Sequence, residues 1–188
     1  MCKYLDMPLQ HIDDGILKSM RRRLDEQETR NLIDKIKGEY PEIALRSTFI
    51  VGYPGEKGKS FKKLCKFIKQ GDFDYAGFFP YSREPNTASY FMKNQCLNWT
   101  KKRRLKKIQK IQNNTALQKA KALIGQTIEV LVDCFDEQTG QYCGHSQKLS
   151  PTVDFGVRFV DNNNVKVADF VKVKIYDFDG RDFKGEIV

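Results

Sequence analysis

The stretch Thr48-Phe49-Ile50-Val51-Gly52-Tyr53-Pro54-Gly55-Glu56 decides how the first half of this chain folds. Thr48 to Val51 is a β-branched and aromatic run and reads as a buried strand. It breaks at once into Gly52-Tyr53-Pro54-Gly55, where glycine permits backbone angles that other residues avoid and proline fixes φ while removing a donor. From about residue 59 Phe61, Leu64, Cys65 and Ile68 recur at helical spacing. Strand, Gly/Pro turn and helix make a βα unit. In sheets and barrels of such units, ligands sit at the carboxyl ends of the strands, where this turn lies. A purely structural turn is the alternative reading.

The pattern repeats on either side of this unit. Upstream, Tyr4 to Leu9 reads as a strand end, and Asp13 or Asp14 can cap a short helix with Ile16, Leu17 and Met20 on its apolar face. A second helix spans about residues 26–39 and stops before Pro41. The strand ending at Val51 starts near Ala44. Downstream, Gly71 stands where a helix-ending glycine belongs, and Phe73 to Phe79 is apolar on both faces, as parallel strands under helices are. Strand starts near residues 3, 43 and 73 leave spacings that crossover helices fill, so a parallel α/β array is expected. Three strands are too few to close a barrel.

A long helix is predicted over 98–123, with Leu105, Ile108, Gln112, Ala116, Ala120 and Leu123 as a narrow stripe. Seven of its ten residues from Lys101 to Lys110 are basic. Such a run is either a solvated helix face or the footprint of a phosphate binder. After Gly125 the pattern changes to short alternating segments at 127–132, 140–144, 153–160, 170–176 and 183–188. Turn signals separate them at Thr139-Gly140, Asn162-Asn163-Asn164 and Asp179-Gly180. Five short strands in so few residues predict a small OB-type barrel.

The 188 residues carry a net charge of +9, which hides an asymmetry. Residues 1–123 hold 26 Lys/Arg against 13 Asp/Glu, while residues 124–188 hold 7 against 11. No segment approaches the roughly 18 apolar residues of a membrane span. Cys2, Cys65, Cys96, Cys134 and Cys143 are an odd, scattered set, the pattern of reduced thiols in a cytoplasmic protein. His11 and His145 have no Cys or His at metal-ligand spacing, and no Ser-His-Asp or Cys-His arrangement supports hydrolysis.

Taken together, Tyr4-Leu5-Asp6-Met7-Pro8-Leu9-Gln10-His11, Ile16-Leu17-Lys18-Ser19-Met20-Arg21-Arg22, the Thr48–Glu56 turn, the segment from Phe73 to Ser89 and a five-stranded tail resemble the radical-SAM methylthiotransferases over essentially the whole chain. The Tyr4-Leu5-Asp6 lead-in and Gln10-His11 look like the branch that methylthiolates an aspartate of a small-subunit ribosomal protein. The alternatives are the tRNA-modifying branch and a non-catalytic RNA-binding module. The resemblance implies the C-terminal portion of a partial radical-SAM β/α barrel at 1–97, a basic connecting helix at 98–124 and a TRAM β-barrel at 125–188.

It also implies S-adenosylmethionine as cofactor and two 4Fe-4S clusters in the complete enzyme. One cluster cleaves the cofactor reductively to a radical that removes a substrate hydrogen; the other supplies sulfur. Neither cysteine set of the family occurs here. Thiolates hold such clusters, so the chain is expected to be the C-terminal part of a longer enzyme, inactive alone and with neither S-adenosylmethionine nor a cluster bound.

By the same resemblance Gln10, Gly52, Pro54, Gly55, Glu56 and Ser82 lie by the cofactor. Glu56 either accepts hydrogen bonds from it or serves as the first-turn carboxylate of a helix. His11 binds substrate or caps the helix that follows. Asp154, Asp177 and Asp179 of the acidic barrel face a basic ribosomal protein, and Lys101–Lys110 is the candidate RNA contact. Thr152-Val153-Asp154-Phe155 departs from the Glu-Val-Asp-Gly more usual in the family.

Overall fold

A computed structural model describes residues 2–150, 154–160 and 165–188. The chain divides into two compact units, one of Leu5–Thr115 and one of Met1–Tyr4 with Ala116–Val188. The first holds a three-stranded sheet in the order β1 (Tyr4–Gln10), β2 (Ala44–Val51), β3 (Tyr75–Pro80). β2 and β3 run parallel, with Phe49 opposite Phe78. The helices are α1 (Asp14–Ser19), α2 (Glu26–Glu39), α3 (Gly58–Lys69) and α4 (Asn98–Lys121), whose residues from Ala116 onward fall in the second unit.

Local chemistry accounts for these boundaries. Asp13 accepts from the Ile16 N–H and starts α1. Asp25 and Glu28 form a reciprocal capping box that starts α2. Nearly every second residue of β2 is buried, and Phe49 is the centre of the core. Its ring meets Phe67 and Phe73 edge-on and stacks on Phe78. Leu45, Phe61, Leu64, Ile68 and Ile108 complete that cluster. β3 begins at Tyr75, two residues later than the apolar run suggests. The Asp74 N–H donates to the Leu45 carbonyl and the Asp74 carboxylate accepts from the Leu45 N–H, each at 2.9 Å, so a side chain stands in for one backbone acceptor there.

In the second unit β4 (Thr127–Asp136), β5 (Gln141–His145), β6 (Gly156–Val160), β7 (Phe170–Phe178) and β8 (Asp182–Ile187) close into a barrel in the order β4-β5-β6-β8-β7. β6 and β8 pair in parallel, and the other neighbours are antiparallel. Val130, Val132, Val157, Phe159, Val173, Ile175 and Phe183 fill it. A closed five-stranded barrel following a helix-covered parallel sheet is the coarse architecture expected. Gly140 (φ 67°) belongs to the β4–β5 turn, and β5 starts one residue later than anticipated. The expected start of β6 at Val153, the Asn162–Asn164 turn and Asp161 lie outside the described residues. Among the described residues no helix is long and apolar enough to cross a membrane.

Closure brings backbones into contact at Gly144 of β5. A Cβ there would stand 2.3 Å from the Leu131 carbonyl oxygen, a backbone atom that cannot swing aside. Gly144→Ala is therefore expected to destabilise the barrel by about 3 kcal/mol, the upper end of ordinary overpacking costs. Urea unfolding followed by far-UV circular dichroism checks this, and an unchanged midpoint would contradict it.

Candidate functional site

The turn after β2 is held from behind by two cations of α4. The Glu56 side chain is fully buried and accepts a short hydrogen bond from the Gly52 N–H. Arg104 Nη1 lies 3.1 Å from the same carboxylate and 3.0 Å from the Glu56 carbonyl oxygen. Burial pushes the Glu56 carboxyl above its usual range, against the opposing pull of Arg104 and the Gly52 and Tyr53 N–H groups. Lys101, also buried, donates to the Tyr81 carbonyl at 2.8 Å just beyond β3. Its stem runs across Gly52, where a Cβ would stand 2.5 Å from Lys101 Cγ and where φ is +75°. The loops that follow β2 and β3 are thus tied to one helix.

In front of the turn lies an open pocket of about 390 Å³, lined by residues that include Asp13, Ser19, Pro54, Gly55, Ser60 and Asn94. The Gly55 N–H donates to the Asn94 carbonyl at 2.8 Å, and nothing stands within 4 Å of where its Cβ would be. Tyr53 and Tyr81 meet edge-on with ring centroids 5.3 Å apart.

His11 is fully buried. Its Nδ1 accepts from the Asp13 N–H at 2.9 Å, so the neutral ring carries its proton on Nε2. That nitrogen and the Tyr81 hydroxyl are buried polar groups with no hydrogen-bond partner among the described residues. Burial lowers the His11 pKa to about 4, although Asp13 pulls the other way. As a capping group His11 serves the loop before α1, while Asp13 caps the helix itself.

The sequence-derived set separates into groups. Pro54 and Gly55 line the pocket, and Gly52 lies behind it. Glu56, expected to offer its carboxylate to a cofactor, is turned inward because Arg104 and the Gly52 N–H consume it. Ser82 is exposed and bonded to Glu84, away from the pocket lining. Gln10 ends β1 with φ of 72°, a left-handed conformation uncommon outside glycine and one that concentrates at functional positions. The Lys101–Lys110 run is not one solvated face: Lys101 and Arg104 point in, whereas Lys102, Arg103, Lys106, Lys107 and Lys110 are exposed.

Lys101 and Arg104 were anticipated only as part of the candidate RNA-contact run and not at this turn, yet their spacing gave a signal. Lys101 lies four residues before Leu105 on the stripe that continues through Ile108 and Gln112.

On the barrel the three acidic residues singled out have local duties. Asp154 accepts from the Ser150 N–H and the Tyr4 hydroxyl. Asp177 reaches Lys184 at 3.3 Å. Asp179 accepts from the Asp182 and Arg181 N–H groups, which hold its carboxyl below the usual range. Arg158 is bracketed by Asp136 and Asp182. Glu129, Glu137 and Glu186 are exposed and form no ion pair among the described residues.

A parallel sheet with a pocket at its strand ends, followed by a closed five-stranded barrel, is the architecture of a two-part protein. Residues 124–188 match the TRAM domain family. Over its full length the chain is 42% identical to the ribosomal protein uS12 methylthiotransferase RimO of Geotalea uraniireducens, 41% to that of Citrifermentans bemidjiense and 39% to that of Desulforamulus reducens. The family resemblance therefore extends across the whole chain, which spans 42% of the length of each of these relatives.

Two tests probe the site itself. Arg104→Ala leaves a buried carboxylate without its cation and should cost about 3–5 kcal/mol, read as a lower urea midpoint followed by Trp99 fluorescence. His11 supplies a pH test. With its folded pKa near 4 and an unfolded value of about 6.5, the unfolded chain binds the extra proton. Stability contributed by neutral His11 is thus full above about pH 6.5 and falls by roughly 3 kcal/mol as pH drops to about 4. Glu56, with a raised pKa, works in the opposite sense. The difference between the wild-type and His11→Gln stability profiles isolates the histidine, and parallel profiles would refute its neutral burial.

Proposed function

We propose that this chain forms the C-terminal part of a radical-SAM methylthiotransferase that modifies an aspartate of the small-subunit ribosomal protein uS12. The observation that carries the reading is the match of its entire length to relatives bearing that name. The three-stranded sheet is then a segment of a larger β/α barrel, and its strand ends form part of the mouth. The pocket beside Pro54 and Gly55 suits S-adenosylmethionine, because it pairs an open glycine with Asp13, Ser19, Ser60 and Asn94, donors and acceptors for a zwitterion. When bound and reduced by one electron from an iron–sulfur cluster of the complete enzyme, that cofactor would supply the radical that removes hydrogen from the substrate. Gln10 and His11 border the same rim in sequence, and the unmet Nε2–H of His11 is the donor we assign to a ligand.

Gly52 and Glu56 are positioning residues: with Lys101 and Arg104 they fix where Pro54 and Gly55 stand. The iron–sulfur clusters are another matter. Among the described residues no three His, Cys, Asp or Glu side chains group as a metal site, so these residues do not fit a cluster and no step is assigned through one. The acidic barrel is the surface we assign to uS12, a basic protein, through Glu129, Glu137 and Glu186 rather than the turn-forming aspartates.

Two measurements test this reading. S-adenosylmethionine titrated into the 188-residue chain should shift the amide resonances of Gly55, Ser60 and Asn94, and Gly55→Val should abolish the shifts. Purified uS12 should bind the chain weakly, less so as salt rises through about 0.15 M, where the Debye length is roughly 8 Å. A combined Glu129→Gln, Glu137→Gln and Glu186→Gln variant should slow association more than it speeds dissociation. Absence of cofactor shifts together with salt-insensitive uS12 binding would refute the assignment, and tighter binding of tRNA than of uS12 would favour the tRNA-modifying branch.

A further inference from the structure

α3 and α4 lie side by side and run in the same sense. Near the start of α3 the Arg104 guanidinium sits 5.3 Å from the Phe61 ring. Beyond its end, a Cβ on Gly71 would be 3.4 Å from Thr115 Cγ2. Their inward residues, Phe61, Leu64, Phe67, Ile68 and Ile108, enter the core. Their outward residues are cations: Lys62 and Lys66 on α3, and Lys102, Arg103, Lys106 and Lys110 on α4, each exposed. Neither helix contains a single Asp or Glu, and none of these six has an ion-pair partner among the described residues. A face of unneutralised like charge repels itself and lowers stability. An isolated solvated helix would ordinarily intersperse carboxylates at i,i+4.

We infer that the outward face of α3 and α4 binds the phosphodiester backbone of RNA. Three features select this partner. The charge is spread over two parallel helices rather than gathered around one small-molecule pocket, which suits a polyanion. Between Lys62 and Lys66 and between Lys102 and Lys110 the large apolar side chains, Leu64 and Ile108 among them, are buried in or packed against the core, so the face carries no continuous apolar strip of the kind that inserts into a lipid boundary. At the amino end of the face Trp99 is 59% exposed, with the Arg103 guanidinium 5.1 Å from its ring. A solvent-facing indole beside a guanidinium is a stacking platform for an unpaired base. The inward turn of Lys101 and Arg104 leaves the remaining cations on one side. The choice of RNA over DNA rests on the ribosomal reading above; the affinity for a phosphate backbone does not.

Trp99 is the sole tryptophan, so it reports on this face alone. A fluorescein-labelled RNA hairpin with a single-stranded loop is titrated into the full 188-residue chain at several salt concentrations. The expected results are quenching of Trp99 and an affinity that falls with salt by a log–log slope of about 0.7–0.9 per phosphate contacted. Replacing Lys102, Arg103, Lys106 and Lys110 by Glu should weaken binding at least about tenfold and flatten the slope. Because that variant can perturb α4, its helicity is checked by circular dichroism, and the milder Lys62→Gln/Lys66→Gln double variant should reduce affinity and slope in the same direction. Unchanged affinity in a folded variant, binding without change in Trp99, equal binding of duplex DNA, or binding of phosphatidylserine vesicles in place of RNA would each overturn the proposal. The cofactor titration reads a different site, and the comparison of tRNA with uS12 is made on the variant lacking the α4 cations, so the two readings fail separately.

Discussion

Burying the Glu56 carboxylate is the constraint on which the rest of the first unit depends. A charge taken out of water costs several kcal/mol, and attraction to one partner recovers this only with good geometry and further hydrogen bonds. Here the backbone supplies part of the answer through the Gly52 N–H, and α4 supplies the rest through Arg104. Neither partner is available unless the turn after β2 has its left-handed glycine and α4 lies against α3. The ion pair therefore selects one arrangement of strand, turn and two helices. Lys101 extends the selection to β3 by holding the Tyr81 carbonyl.

This arrangement explains why the pocket can be open and still well defined. Its front is formed by Pro54, Gly55 and side chains that include Asp13, Ile16, Ser19, Met92 and Asn94. Its back is the Gly52–Glu56–Arg104 knot. Placing the rigid interactions behind a site and leaving its front hydrated is how loops carry binding groups without losing position. His11 Nε2 and Tyr81 Oη are buried without a hydrogen-bond partner among the described residues. Each forgoes a hydrogen bond that its burial demands.

The sequence made the architecture readable where periodicity and punctuation agree. β2, α2 and α3 could be bounded to within a residue or so because a β-branched run, the stop at Pro41 and the helix-ending Gly71 mark their limits. The barrel strands were legible from alternation and turn residues. The site was legible only in part, and for a physical reason. Pro54 and Gly55 stand in a turn whose backbone announces itself. Glu56 did not announce its direction: a carboxylate two residues before α3 satisfies a dipole whether it faces solvent or core. Its partner Arg104 is 48 positions away in a run of cations, and composition cannot tell which of them turn inward. Only the stripe through Leu105, Ile108 and Gln112 indicates that phase, and a charged residue on an apolar stripe is easily read as noise.

The acidic barrel follows the same logic with the opposite outcome. Its aspartates sit in and beside turns because short carboxylates accept from backbone N–H groups that a turn leaves unpaired. Asp179 does this at the β7–β8 connection and Asp169 does it for Lys166. Those charges exist for local folding, so they contribute to the field around the barrel without being free to make specific contacts. The glutamates, one methylene longer, stand on strand faces or at a turn edge and have no such duty. A net charge of −4 thus contains populations that respond differently to substitution: changing Asp169 or Asp179 damages a turn, whereas changing Glu129, Glu137 or Glu186 alters only the field. α4 shows the same partition among its cations. Net charge predicts the sign of a partner's charge, but only local geometry says which side chains are free to meet it.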